Sequence, residues 1–213
     1  MKVLIVQNYS TNQPWGQLTL DSICSHVVRS CPDAQVDICN VVDGGIPPPI
    51  DEYALIVLTG GTFNLIAEKP LPWVQRVIDL IKDVSNEGNE RTKLVGFCWG
   101  HQVTHHALGG QLSIVDGTRI LHKFHKRCVK TNASGFTPLE EGNENFISDS
   151  GRILTLQSHP ELTGAISRSL IDGDDGSYVN NVRSDSGAEL QHNNSQHDGG
   201  MVWNRIMRWV LDG

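Results

Sequence analysis

Apolar and polar positions follow two different patterns in the first half of the chain. Short apolar runs predict strands at Lys2–Gln7, Gln35–Val42, Ala54–Thr59 and Lys93–Phe97, and the first of them is predicted to be buried. Longer segments with apolar residues spaced three and four apart predict helices at Gln17–Ser30 and Leu71–Asn86. Strands buried on both faces and separated by helices are typical of parallel sheets. We therefore predict a three-layer α/β fold, with a mostly parallel central sheet and helices on both faces.

The second half of the chain has shorter and weaker patterns. Strands are predicted at Gln111–Val115, Arg119–Phe124 and Arg152–Leu156, and helices at Leu162–Ile171 and Met201–Leu211. The Gly- and Pro-rich segment Gly44–Pro49 and the polar segment Asp172–Asp198 are predicted to be loops. No internal repeat or linker divides the 213 residues, so we expect a single domain spanning 1–213.

Charge and composition exclude several kinds of protein. The net charge is −7 and Lys and Arg form no dense run, which argues against nucleic acid or an anionic membrane as the main partner. No apolar stretch approaches the ~20 residues of a membrane span, and the first residues do not resemble a signal peptide. The five cysteines are irregularly spaced and lack a Cys-x-x-Cys pair, so we expect reduced thiols and a cytoplasmic location.

The segment Val95–Gln102, V-G-F-C-W-G-H-Q, has the layout of a nucleophile elbow. A strand ends, Cys98 occupies a sharp turn, and a helix begins. Gly96 and Gly100 stand where side chains would crowd such a turn, and the positive end of the helix dipole favours thiolate over thiol. The alternative is a cysteine packed in the core after a strand, but the two flanking glycines favour a nucleophile.

A cysteine nucleophile needs a base and donors for the oxyanion that its attack creates. His159 follows a predicted strand, Pro160 restricts the backbone before it, and Glu161 lies two residues on as a candidate orienter. The alternative for this segment is a capped helix start. Oxyanion donors are predicted at Gly60-Gly61, after the third strand, although an ordinary glycine turn would have the same sequence.

Several other histidines are candidates for metal binding or for the mouth of the site. His101 and His105 have the i, i+4 spacing of a metal pair, with His106 beside them. No carboxylate completes the set, so we predict no metal. His122 and His125 either line the mouth of the site or lie on a solvated strand.

Two motifs resemble those of class I glutamine amidotransferases. Gly96–Gln102 resembles the G-x-C-x-G-x-Q elbow, and Gln157–Glu161 resembles the Q-x-H-P-E motif. The match is to the single-domain fungal and plant type, similar to γ-glutamyl peptidases. The resemblance implies a flavodoxin-like fold and no cofactor. It also implies that Cys98, His159 and Glu161 form a catalytic triad. The oxyanion donors it implies are Gly60, Gly61 and Trp99, and the contact to the glutamyl group of the substrate is Gln102.

The resemblance extends from Lys2 to Trp209 with one gap. The interval from Cys98 to His159 is shorter than the family usually has, and the missing part lies between Gly110 and Leu121. The family carries further strands there, near the glutamyl pocket.

Three functions are compatible with the sequence. The protein could hydrolyse glutamine and pass ammonia to a separate synthase subunit. It could instead hydrolyse a γ-glutamyl peptide or a glutathione conjugate without a partner. The third possible function is that of a non-catalytic binding or regulatory module, which retains the elbow but lacks a complete pocket.

Overall fold

A computed structural model describes residues 1–66, 69–114, 127–141, 144–172 and 198–212. The predicted strand Arg119–Phe124, with His122 and His125, lies outside the described residues, as does nearly all of the predicted loop Asp172–Asp198. The chain divides into two compact units. The first comprises Met1–Ser10, Asp33–Ile114 and Arg127–His159, and the second takes the remainder.

All described strands belong to the first unit. In chain order they are β1 (Lys2–Gln7), β2 (Gln35–Asn40), β3 (Leu55–Leu58), β4 (Lys93–Phe97), β5 (Gln111–Ile114), β6 (Arg127–Thr131), β7 (Phe136–Pro138), β8 (Asn145–Ser148) and β9 (Ile153–Leu156). Seven of them form one sheet in the order β2-β1-β3-β4-β9-β8-β7. The first five strands in this order are parallel, whereas β8 and β7 pair antiparallel. The remaining strands, β5 and β6, form a separate antiparallel pair.

Five helices are described. They are α1 (Gly16–Ser30), α2 (Pro72–Ser85), α3 (Trp99–Ala107), α4 (Gly164–Asp172) and α5 (Gly199–Asp212). A short 3₁₀ turn covers Ile50–Glu52. Helices α2 and α3 belong to the first unit, and α1, α4 and α5 to the second. In the part of the chain that the structure describes, no helix is long and apolar enough to cross a membrane.

The central strands are buried on both faces, as their sequences predict. On one face, alternate residues of β1 and β3 pack with the apolar side of α2; these are Leu4, Val6, Ile56 and Leu58 with Val74, Val77 and Ile81. The residues between them, such as Val3, Ile5 and Val57, have no exposed surface either. Such burial is characteristic of a parallel sheet, and the predicted mostly parallel α/β fold is confirmed.

The sequence predicted β1 and β4 to the residue and missed three strands. Strand β2 ends at Asn40 rather than Val42, because the Gly45 N–H bonds back to the Asn40 carbonyl and starts a turn. Strands β6, β7 and β8 were not predicted. Each is short, and β7 is an edge strand of which only Phe136 is buried, so no continuous apolar run marks it.

The second unit has its own buried contacts. The His26 ring on α1 stacks on Trp203 of α5, with ring centroids 5.3 Å apart and planes within 6° of parallel. Trp203 has no exposed surface, and Ile23, Val27 and Met207 are buried as well. The amphipathic patterns of the two helices therefore reflect real burial.

Candidate active site

The junction of β4 and α3 holds Cys98 in an unusual backbone conformation. Its φ is 48° and its ψ is −100°, and among the described residues it is the only non-glycine with positive φ. Such a conformation costs about 1–3 kcal/mol and persists only where surrounding contacts impose it. Here the Cys98 N–H donates to the Leu156 carbonyl at 2.8 Å, and the Cys98 carbonyl accepts from the Gln102 N–H at 3.0 Å. Cys98 is 5% exposed.

The two glycines that flank Cys98 are required by close backbone packing. A Cβ atom on Gly96 would lie 2.7 Å from the backbone of Gly100, and one on Gly100 would lie 2.5 Å from the Leu58 carbonyl oxygen. Both distances are below any real Cβ contact, and in both cases the neighbour is backbone. The turn therefore has no room for a side chain on either side of the cysteine.

The glycine pair after β3 faces both His159 and the residue that follows Cys98. A Cβ on Gly60 would lie 2.8 Å from His159 Cε1, and one on Gly61 would lie 3.3 Å from Trp99 Cγ. Strands β3, β4 and β9 are neighbours in the parallel part of the sheet, so their carboxyl ends meet at one edge. That topology brings the elbow, the histidine and the glycine pair together.

Backbone donors are available at this edge of the sheet. The Trp99 N–H is in the first turn of α3, where a helix leaves its N–H groups without intrahelical partners. In the described part of the chain, no hydrogen bond to another residue uses the N–H of Gly60 or Gly61. A nucleophilic thiol, an imidazole and unengaged amide donors are the groups that acyl transfer requires.

Comparison with known proteins decides the family. The chain is 32% identical to the glutamine amidotransferase-like protein chry6 of Gibberella zeae, over 98% of this chain and 95% of that protein. The chain belongs to the glutamine amidotransferase-like family. It is also 27% identical to the glutamine amidotransferase-like protein chyE of Penicillium rubens, over 87% of this chain and 90% of that one. No protein-family model matches the chain. The resemblance inferred from the two motifs is thus confirmed.

Solved structures agree on the fold of this glutamine amidotransferase-like protein. A glutamine amidotransferase from Thermotoga maritima superposes with a TM-score of 0.69 at 17% identity, covering 100% of this chain and 96% of that one. A second, from Methylobacillus flagellatus, gives a TM-score of 0.68 at 16% identity, covering 99% and 92%. At these identities the likeness establishes a shared fold.

The loop after the glycine pair is bonded to the elbow through the backbone carbonyl of Phe63, a residue that no motif singles out. The Phe63 carbonyl accepts from the Trp99 indole Nε1 at 3.0 Å and from Arg127 Nη1 at 3.2 Å. The ring of Trp73 packs between those of Phe63 and Trp99, with centroids 5.4 and 5.3 Å away. Trp99 therefore anchors the loop with its side chain, in addition to presenting its backbone N–H.

The side-chain amide of Gln102 is hydrogen-bonded to two other residues of the chain. Its Nε2 donates to the Arg127 carbonyl at 2.8 Å and to Gln157 Oε1 at 3.2 Å, and the residue is 2% exposed. Both N–H groups of the Gln102 amide are thus used. The contact with the glutamyl group stays a prediction.

Glu161 belongs to the second unit, whereas Cys98 and His159 belong to the first. The Glu161 carbonyl accepts from the Ser22 hydroxyl of α1 at 2.7 Å, and the residue is 1% exposed. Two residues of extended chain span at most about 7 Å, so the sequence itself keeps Glu161 near His159. Its contact with the imidazole stays a prediction.

The histidine pair on α3 has a structural environment. His105 Nδ1 accepts the Ala133 N–H at 3.1 Å, and Nε2 lies 3.2 Å from the Thr155 hydroxyl. These contacts define a neutral ring, and burial lowers the pKa of His105 to about 4. The His101 ring packs edge-on against it at 5.0 Å. Within the described residues, no group of three His, Cys, Asp or Glu side chains could hold a metal.

Proposed function

We propose that this protein is a cysteine-dependent amide hydrolase that cleaves a γ-glutamyl amide through a thioester on Cys98. The observation that carries the proposal is the strained backbone of Cys98 at a strand-to-helix turn, beside a glycine pair that packs against His159. A cysteine that only filled the core would gain nothing from a conformation that costs about 1–3 kcal/mol.

The first half of the reaction forms the thioester. The Cys98 thiolate attacks the γ-carbonyl carbon, a C–S bond forms, and the π electron pair moves onto the carbonyl oxygen. The N–H groups of Gly60, Gly61 and Trp99 are the proposed donors to that oxyanion. When the intermediate collapses, the C–N bond breaks and His159 gives its proton to the leaving amine.

The second half releases the acid. Water attacks the thioester carbon while His159 takes one of its protons, and collapse of the second tetrahedral intermediate breaks the C–S bond. Glu161 holds the imidazole in the required tautomer and stabilises its charged form. Gln102 contributes Oε1 to binding of the glutamyl group. The reaction uses no cofactor and regenerates the Cys98 thiolate.

Two substrates fit the proposal. One is glutamine, as the family name of the two fungal relatives suggests. Its hydrolysis would release ammonia, which a separate synthase subunit would accept. A γ-glutamyl peptide or glutathione conjugate would be cleaved by the same steps without a partner. The proposal includes one functional domain over 1–213 and a cytoplasmic location, where thiols stay reduced.

Labelling tests the nucleophile. A diazo ketone analogue of glutamine alkylates a reactive thiolate with loss of N₂, so wild type should gain one adduct by intact mass and Cys98→Ala none. Cys39→Ala is the matched control, because Cys39 is also buried, at 8% exposed, and burial raises the pKa of its thiol. Cys39→Ala should label like wild type.

Glutamate release tests the substrate. Release from glutamine selects the glutaminase, and release from γ-glutamyl peptides alone selects the peptidase. Absence of labelling together with absence of release from either substrate would reject the hydrolase and leave the binding module.

A further inference from the structure

Thr59 connects the end of β1 to the glycine pair through every polar group that it has. Its N–H donates to the Val6 carbonyl at 3.2 Å, and its carbonyl accepts from Asn8 Nδ2 at 3.0 Å. Its hydroxyl accepts the Asn8 N–H at 2.9 Å and donates to the Gly60 carbonyl at 3.0 Å. The residue has no exposed surface, so water does not compete for these bonds.

The direction of the hydroxyl bond is defined by its partners. A threonine hydroxyl carries one proton, and the backbone N–H of Asn8 is itself a donor, so the Thr59 oxygen accepts from Asn8. Its own proton is then free for the Gly60 carbonyl. Asn8 is 2% exposed, so the hydrogen bonds from Asn8 to Thr59 and from Thr59 to Gly60 are shielded from solvent.

The bond to Gly60 controls the orientation of the next amide. In a trans peptide the C=O and the following N–H point in opposite directions, so holding the Gly60 carbonyl also holds the Gly61 N–H. Glycine on both sides of this peptide offers little resistance to rotation, because neither residue has a Cβ. The hydrogen bond from Thr59 supplies a constraint on this orientation that the glycine backbone lacks.

We infer that Thr59 is a positioning residue, which fixes the Gly60–Gly61 peptide so that the Gly61 N–H is ready to stabilise an oxyanion at Cys98. The inference rests on the proposed function. It explains how a backbone without side chains, which substrate and His159 can approach closely, still presents a donor in one orientation.

The test compares two reactions of the same thiol. With p-nitrophenyl acetate, Cys98 Sγ bonds to the acetyl carbon, an oxyanion forms, and collapse expels p-nitrophenolate. With iodoacetamide, Sγ displaces iodide from a saturated carbon and no oxyanion forms. Rates measured for Cys98→Ala are subtracted from both, so that only Cys98 is counted.

Three variants complete the design. Thr59→Val removes the hydroxyl at constant shape, and Thr59→Ser restores it. Thr92→Val is the matched control, because Thr92 is equally buried and its hydroxyl donates to the Ile50 carbonyl at the same 3.0 Å, before the start of β4. Thermal melting shows that each variant is folded.

The expected result is that Thr59→Val lowers the acylation rate about tenfold and leaves alkylation unchanged. The loss is smaller than the roughly 10²–10³-fold loss on removal of an oxyanion donor, because the Gly61 N–H is misoriented and not removed. Thr59→Ser should recover acylation, and Thr92→Val should match wild type in both reactions. On the γ-glutamyl substrate, kcat should fall with KM unchanged.

Two outcomes would overturn the inference. One is an acylation-to-alkylation ratio for Thr59→Val equal to that of Thr92→Val. The other is a parallel fall in both rates, which would place the effect on the thiol instead. The ester reports on the donor even if no γ-glutamyl amide is hydrolysed, so failure of the proposed function would be seen separately.

Discussion

Gly60 offers the most direct test of the arrangement around His159. In Gly60→Ala the new Cβ would lie 2.8 Å from His159 Cε1, whereas ordinary contacts begin at 3.4 Å. The ring must therefore move by about 0.6 Å or more. A 1 Å misplacement of a reacting group costs about a hundredfold in rate, so we expect kcat to fall by about ten- to a hundredfold. Because the neighbour is the end of a side chain, the ring can move, and folding should lose about 1 kcal/mol or less.

Under the proposed function, the assay is glutamate release from the γ-glutamyl amide that gives the highest rate with wild type. Stability is measured in parallel by urea denaturation. Gly88→Ala is the control, because the nearest atom to its new Cβ, Asn86 Oδ1, is 3.8 Å away. Gly88→Ala should keep wild-type kcat. A folded Gly60→Ala protein with wild-type kcat would refute the idea that the glycine leaves room for the base.

Two further predictions concern stability. In Gly61→Ala the Cβ would lie 2.6 Å from the Asn8 carbonyl oxygen, which is backbone and cannot rotate away. Urea denaturation should therefore show a free energy of unfolding about 1–3 kcal/mol lower than that of Gly88→Ala. Equal stability of the two variants would contradict the close contact between Gly61 and Asn8. The pKa of His105 is about 4 in the folded chain and about 6.5 when unfolded, so the unfolded state binds the proton first as pH falls. The stability contributed by neutral His105 is present above pH 6.5 and is lost as pH falls toward 4, by about 3 kcal/mol at most. Urea denaturation at pH 7 and pH 4.5 should therefore show a steeper acid loss for wild type than for His105→Gln, and equal losses would reject the neutral ring.

The sequence predicted the parallel core well because burial on both faces leaves a direct mark. Strands β1 and β4 are nearly continuous apolar runs, and the spacing of Val74, Val77 and Ile81 predicted α2. Strand β6 has no such pattern, because Val129 is its one buried residue, two others are partly buried, and Lys130 and Thr131 are exposed. Its pairing with β5 depends on contacts that periodicity does not encode.

The elbow could be predicted from the sequence because a turn without room for side chains requires glycine at fixed positions. Gly96 and Gly100 met that requirement, and the conformation of Cys98 agrees with it. The roles of Thr59 and Phe63 were not readable. Each depends on a bond between a side chain and a backbone carbonyl. The Thr59 hydroxyl donates to the Gly60 carbonyl, the Trp99 indole donates to the Phe63 carbonyl, and such bonds leave no pattern along the chain.

The glycines of this site differ in what they face, and that difference bears on how a duplicated gene would diverge. Gly61, Gly96 and Gly100 each meet main chain at less than 3 Å, so a side chain at any of them penalises folding and is removed by selection for a stable protein. Gly60 meets only the imidazole at that range. Under the proposed function, a copy released from selection for catalysis can therefore accept a substitution at Gly60 first. Among descendants of this protein, a side chain at that position should be an early sign of a retained fold that has given up its chemistry.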